Sequence, residues 1–115
     1  MSFHYPELAK GGWKKLSLVE QMANTGSEVY RAIKWFRKNE PKNFQAAFER
    51  ALELFDLTLA DSRWKGRRKE IARAREVFCT LLLDSKKITN IDKELDSLDR
   101  YFMQFAMAAQ LRKRK

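Results

Sequence analysis

The sequence predicts an all-α protein, an antiparallel up-down-up-down four-helix bundle with an irregular N-terminal arm. Three observations carry that expectation. Breakers are scarce: Pro6 and Pro41 are the only prolines, and glycine occurs four times in 115 residues, too few for a strand-rich chain with many turns. Two apolar seams repeat with heptad spacing, one at Val19, Met22, Gly26, Val29, Ile33 and Phe36, the other at Ile91, Leu95, Leu98, Phe102, Phe105 and Ala109. Such seams hold one helix face against a partner helix. Hydrophobic residues are 44% and charged residues 34% of the chain, a globular balance rather than a disordered one. One domain, 1–115, is expected, with short loops between its helices.

The arm comprises residues 1–16. Pro6, Gly11 and Gly12 interrupt regular structure there, while Phe3, Tyr5, Leu8, Trp13 and Leu16 offer apolar groups. An arm of this kind packs across the bundle or docks on a neighbouring subunit. The first helix is expected over 18–38. Ser17 followed by Glu20 reads as a capping box, in which the hydroxyl caps a free N–H and the carboxylate reaches back. Gly26 inside the seam costs about 1 kcal/mol of helix propensity. Close approach of another helix is the expected compensation, and a local kink is the competing explanation. Asn39, Glu40 and Pro41 end the helix, because the residue before proline resists the helical region.

The second helix is expected over 44–60 with Asn43 as its N-cap. Its apolar residues, from Phe44 and Phe48 to Leu57 and Leu59, cover most of its circumference. That breadth marks it as the central element, or as one shared with an oligomer interface. Asp61 and Ser62 break and recap the chain. A third helix over 63–83 places Trp64, Ile71, Ala74, Phe78, Leu81 and Leu82 on one face. Lys65, Lys69 and Arg73 line the opposite face, and Arg68 and Arg75 flank the apolar stripe. Arg67 points nearer the apolar side and needs a partner, for which Asp56 is the candidate. After a polar loop over 84–91, the fourth helix runs over 92–111. Asp92, Glu94 and Asp96 suit its positive end, and the basic tail over 112–115 suits its negative end.

Charge is segregated along the chain. The formal net charge is +9. Segment by segment it is +3 over 1–40, −2 over 41–62, +6 over 63–87, −2 over 88–111 and +4 over 112–115. A separated field of this sign attracts polyanions.

No catalytic constellation accompanies that field. His4 is the only histidine and Cys79 the only cysteine, so neither a Ser/His/Asp set in the core, nor a CxxC, HExxH or Glu-x-x-His pattern is present. The carboxylate pairs Glu49/Glu53 and Asp96/Asp99 read as solvated helix faces. Cys79, beside Phe78 and Leu81, reads as a buried inert thiol. The expectation is a non-enzyme without metal or cofactor. The longest uncharged apolar run, Tyr101 to Leu111, is far short of a membrane span, and no apolar signal segment is visible near the start. A cytoplasmic protein without a membrane partner is expected.

The leading functional expectation is electrostatic, largely sequence-independent binding of RNA or DNA by a non-enzyme that acts as accessory to a nucleic-acid enzyme. Lys65, Arg68, Lys69, Arg73 and Arg75 would contact phosphates, with Arg112, Lys113, Arg114 and Lys115 adding reach. Trp64 beside them is a stacking candidate, although its wheel position is apolar. The competing reading is a solvated face salt-bridged to the acidic helices. A second hypothesis is a structural or adaptor homo-oligomer with a protein partner, motivated by the broad second helix, Tyr30, Trp35 and the aromatic arm.

Three strings carry a resemblance: Leu16-Ser17-Leu18-Val19-Glu20-Gln21-Met22-Ala23-Asn24-Thr25-Gly26-Ser27-Glu28-Val29, Arg50-Ala51-Leu52-Glu53-Leu54-Phe55-Asp56-Leu57-Thr58-Leu59-Ala60-Asp61, and Tyr101-Phe102-Met103-Gln104-Phe105-Ala106. They resemble a family of small, mostly uncharacterised bacterial helical proteins, over most of the chain. In architecture, size and basicity the chain is also similar to the bacterial four-helix-bundle family. That family includes the proteins of ribosomal RNA intervening sequences and the accessory variability determinant of diversity-generating retroelements. The second likeness implies a basic oligomer acting beside a nucleic-acid enzyme. No residue motif ties the chain to it, so no residue role is carried over.

Overall fold

Four α-helices form a bundle: α1 (Leu18–Arg37), α2 (Pro41–Ala60), α3 (Arg68–Leu83) and α4 (Ile91–Lys113). This is a computed structural model, and it describes residues 11–113. Residues 1–10 of the expected arm over 1–16, His4 among them, lie outside the described residues. Short 3-10 stretches at Trp13–Lys15, Ser62–Arg67 and Ser85–Lys87 connect or precede the helices. There is no strand among the described residues.

Helix α1 begins as its sequence implies. The Glu20 N–H donates to the Ser17 hydroxyl and the Ser17 N–H donates to the Glu20 carboxylate. Its end is built differently from the expectation. Asn39 adopts the left-handed region with φ 54°. Its N–H donates to the Phe36 carbonyl, and the Glu40 N–H donates to the Trp35 carbonyl. Together these satisfy the last carbonyls as in a Schellman motif. Pro41 therefore does not terminate α1. It opens α2, where its fixed φ and missing N–H suit the first helical position. Asn43 lies within α2 and is not its cap.

Helix α1, not α2, is the central element. Its contacts with α2 and α4 are the most extensive in the bundle, while α3 packs more lightly on α2 and α4. The pairings run in opposite chain order. Arg37 at the end of α1 meets Asp92 and Asp96 at the start of α4, and Arg112 near the end of α4 reaches Ser17 at the start of α1. Between α1 and α2, Glu28 accepts from Arg50 at 3.0 Å.

The core is aromatic. Phe36, Phe44, Phe48, Phe78, Phe55 and Phe102 form a continuous chain of ring contacts with centroids 5.1–6.1 Å apart. Aliphatic groups fill the space around them, with Met22, Val29, Ile71 and Leu95 fully buried. Gly26 lies where α1 and α4 cross, and a Cβ there would stand 2.8 Å from the Phe102 Cβ. The glycine is thus a close-approach site, and α1 continues through it as one helix.

Helix α3 starts at Arg68, five residues later than the sequence implies. Asp61 explains the delay. Its carboxylate accepts from the Arg63 N–H and from the Arg63 guanidinium, which holds the chain in a tight turn. Trp64 follows with non-helical angles, φ −101° and ψ 23°, and Gly66 adds low helix propensity.

Candidate nucleic-acid interface

The site is built from one end of the bundle upward. A buried polar network joins the chain segments there. The Trp13 indole, 2% exposed, donates to the Thr58 hydroxyl at 2.9 Å. Gln21, fully buried, donates to the Trp13 carbonyl and the Asp61 carboxylate, and accepts from the Trp64 indole at 2.8 Å. Arg63 closes the network by donating to Asp61 and to the Leu16 carbonyl. The Arg63 hydrogen bonds hold the Asp61 carboxyl well below the usual carboxylate range, against burial, which pushes the other way. Every polar group in this cluster has a partner, as buried polar groups require.

This network joins the start of α1, the end of α2 and the approach to α3, and the Arg112–Ser17 contact sets the end of α4 beside them. The basic residues divide into two sets there. Arg63, Arg67 and Arg75 are engaged. Arg67 pairs with Glu70 and Arg75 with Asp56, so Asp56 serves Arg75 rather than the expected Arg67. Lys65, Lys69 and Arg73 are exposed and form no ion pair with another described residue. Arg68 is half-buried, and its Nε has no hydrogen-bond partner.

The expected straight row of Lys65, Lys69 and Arg73 on one helix is shortened. Only Lys69 and Arg73 ride on α3, and Lys65 belongs to the preceding 3-10 stretch. No side chain caps the N-terminus of α3, the 3-10 stretch Ser62–Arg67 runs directly into it, and Glu70 lies in its first turn. Arg112 is exposed, with its guanidinium 3.4 Å from the Ser17 hydroxyl. Lys113 is the last residue of α4, and Arg114 and Lys115 lie outside the described residues.

Trp64 is spoken for. Its indole N–H is committed to Gln21, the Arg63 guanidinium covers its ring at 4.7 Å, and its inner side packs on the core. It is a structural residue that shapes the turn into α3, not a bare stacking platform.

Lys14 and Lys15 were missed by reasoning from charge density. Both are exposed and sit directly before Leu16, which accepts from Arg63. A signal for them exists. They precede the capping box, and in an up-down bundle the start of the first helix neighbours the end of the fourth.

No protein-family model, curated protein or solved structure matches the chain. Among the described residues no group of three His, Cys, Asp or Glu is placed to hold a metal ion. No helix there is long and apolar enough to cross a membrane. Cys79 is half-buried rather than sealed in the core. Burial pushes its thiol pKa up, while the Arg75 charge pulls it down.

Proposed function

We propose that the protein binds nucleic acid without catalysing a reaction, through cations clustered at one end of the bundle. The observation that carries this reading is the set of exposed cations Lys65, Lys69 and Arg73, unpaired among the described residues, beside the start of α3, which no side chain caps. Unpaired cations keep their full charge for phosphate oxygens, whereas paired ones must first give up a carboxylate. Arg68 adds the charge of a half-buried guanidinium, although its Nε is shut off from solvent. Lys14, Lys15 and Arg112 extend the field across the same end. Arg75, tied to Asp56, contributes mainly to the long-range potential.

Contacts of this kind read the phosphate backbone and carry no base sequence directly. Binding is therefore largely sequence-independent and steeply salt-dependent. The test is titration of a labelled RNA hairpin and a DNA duplex over a salt series. Tight binding whose logarithm falls by about 0.9 per contacted phosphate for each logarithm of salt supports the reading. Lys65→Glu, Lys69→Glu and Arg73→Glu together should abolish binding while leaving the helical circular dichroism intact. Unchanged binding by that variant, or no binding of the native chain at low salt, refutes it.

A further inference from the structure

Single-stranded and double-stranded nucleic acids ask different things of a basic surface. A single strand offers its base faces, and proteins that hold it combine cations with exposed aromatic rings. Each stacked base is worth roughly 5- to 150-fold in affinity. A duplex hides those faces in its own stack. It offers instead two rows of phosphates, one charge per about 1.7 Å of axis against about 3.4 Å for one strand. The aromatic residues near the unpaired cations therefore decide which form the surface suits.

The aromatic side chains described there are all committed. The Trp13 indole is 2% exposed and donates to Thr58. Trp64 donates to Gln21, lies under the Arg63 guanidinium and packs inward on the core. Tyr101 lines a groove between α3 and α4 with Arg73. Its hydroxyl donates to Glu70, and its ring stands edge-on to Phe102 and Phe105. Among the described residues Tyr30 is the one exposed aromatic, at 54%. It sits well along α1 from Ser17, roughly 20 Å away at about 1.5 Å per residue. Trp35 lies further still, half-buried, with Lys34 and Lys38 over its ring.

We infer that the basic end docks on a nucleic-acid duplex and discriminates against single strands. This rests on the proposed nucleic-acid binding and names the form of nucleic acid taken. The placement of the cations agrees with it. Lys14 and Lys15, Lys65, Lys69 with Arg73, and Arg112 stand on four separate segments. The row that would track one strand along a single helix is broken between Lys65 and Lys69, because Arg67 leaves helical angles, with φ −116° and ψ 6°. Two acids set among these cations are occupied, Asp61 by Arg63 and Glu70 by Arg67. The surface that results gains from the density of phosphates and gains nothing from unstacked bases.

Titration of the full chain with labelled probes of equal length tests the inference. The probes are a DNA duplex, an RNA duplex, and the unstructured single strands oligo-dT and oligo-U, each over a salt series. A duplex should bind about tenfold or more tighter than either single strand. Its logarithm of affinity should fall by about 0.9 per contacted phosphate for each logarithm of salt, against about 0.7 for a single strand. The two duplex arms show which helical form is taken. Tyr30→Ala should leave duplex affinity within about twofold. So should Phe3→Ala with Tyr5→Ala, a pair outside the described residues. Single strands bound as tightly as duplexes overturn the inference and leave nucleic-acid binding standing. Duplex binding lost in either aromatic variant, with its thermal melt unchanged, does the same. No binding of any probe at low salt overturns the proposed function along with it.

Discussion

Gly26 of α1 and Phe102 of α4 meet with the backbone of one against the side-chain stem of the other, leaving 2.8 Å between the Phe102 Cβ and the place a Gly26 Cβ would take. The stem of a phenylalanine cannot swing away as a flexible tip would. Its ring is also fixed, edge-on to Phe55 at 5.8 Å. The contact therefore sets how closely α1 and α4 approach.

Gly26→Ala is expected to destabilise the fold, although alanine is the better helix former. The propensity gain is about 1 kcal/mol, while overpacking at an unyielding contact costs about 1–3 kcal/mol. Urea unfolding should show a net loss, and Gly26→Val should lose more. A Gly26→Ala protein more stable than the native one would show that the helices separate freely.

Gln21 bridges three segments through one amide. Gln21→Ala leaves the Trp64 indole N–H without its acceptor and removes one donor each from the Trp13 carbonyl, which keeps the Leu16 N–H, and from Asp61, which keeps Arg63. Losing these bonds, with one donor left unpaired, costs about 1–3 kcal/mol. Thermal unfolding should register that loss. Near-ultraviolet circular dichroism should also change, because Trp13 and Trp64 both lose their fixed surroundings.

Asp61 gives the fold an acid-sensitive component with a definite sign. Its carboxyl pKa is lower in the folded state than in the unfolded chain, so the unfolded chain binds more protons as the medium is acidified. The stabilisation is complete above the ordinary carboxylate pKa of about 4 and is lost progressively as pH falls below it, toward the native value. Asp61→Asn should lower stability at neutral pH and flatten this acid limb. An unchanged acid limb in denaturant unfolding across pH would exclude Asp61 as its source.

The two ends of the bundle should differ in nucleic-acid binding. Lys14→Glu with Lys15→Glu lies at the proposed end and should weaken binding and shallow the salt slope. Lys86→Glu with Lys87→Glu changes the same charge at the opposite end, between α3 and α4, and should act weakly. Arg73→Ala alone should reduce the slope by about one contact. Equal losses from both lysine pairs would mean that net charge alone governs binding.

Local signals were legible from the sequence. The capping box at Ser17 and Glu20, the two heptad seams and the scarcity of breakers determine where helices form and which faces they bury, because those properties depend on residues within a few turns. Even Gly26 announced a close approach before its partner was known. Three matters were decided by tertiary structure alone. The turn at Asp61 delays α3 to Arg68, since Arg63 and Gln21 converge on a carboxylate from distant parts of the chain. Long-range pairing sorts the cations, committing Arg75 to Asp56 and leaving Lys65, Lys69 and Arg73 without a carboxylate among the described residues. The uncharged run of α4 splits into a core face and an outward stripe only when α1 covers one side of it. Each depends on which side chains meet across the bundle, and spacing along one helix does not encode that.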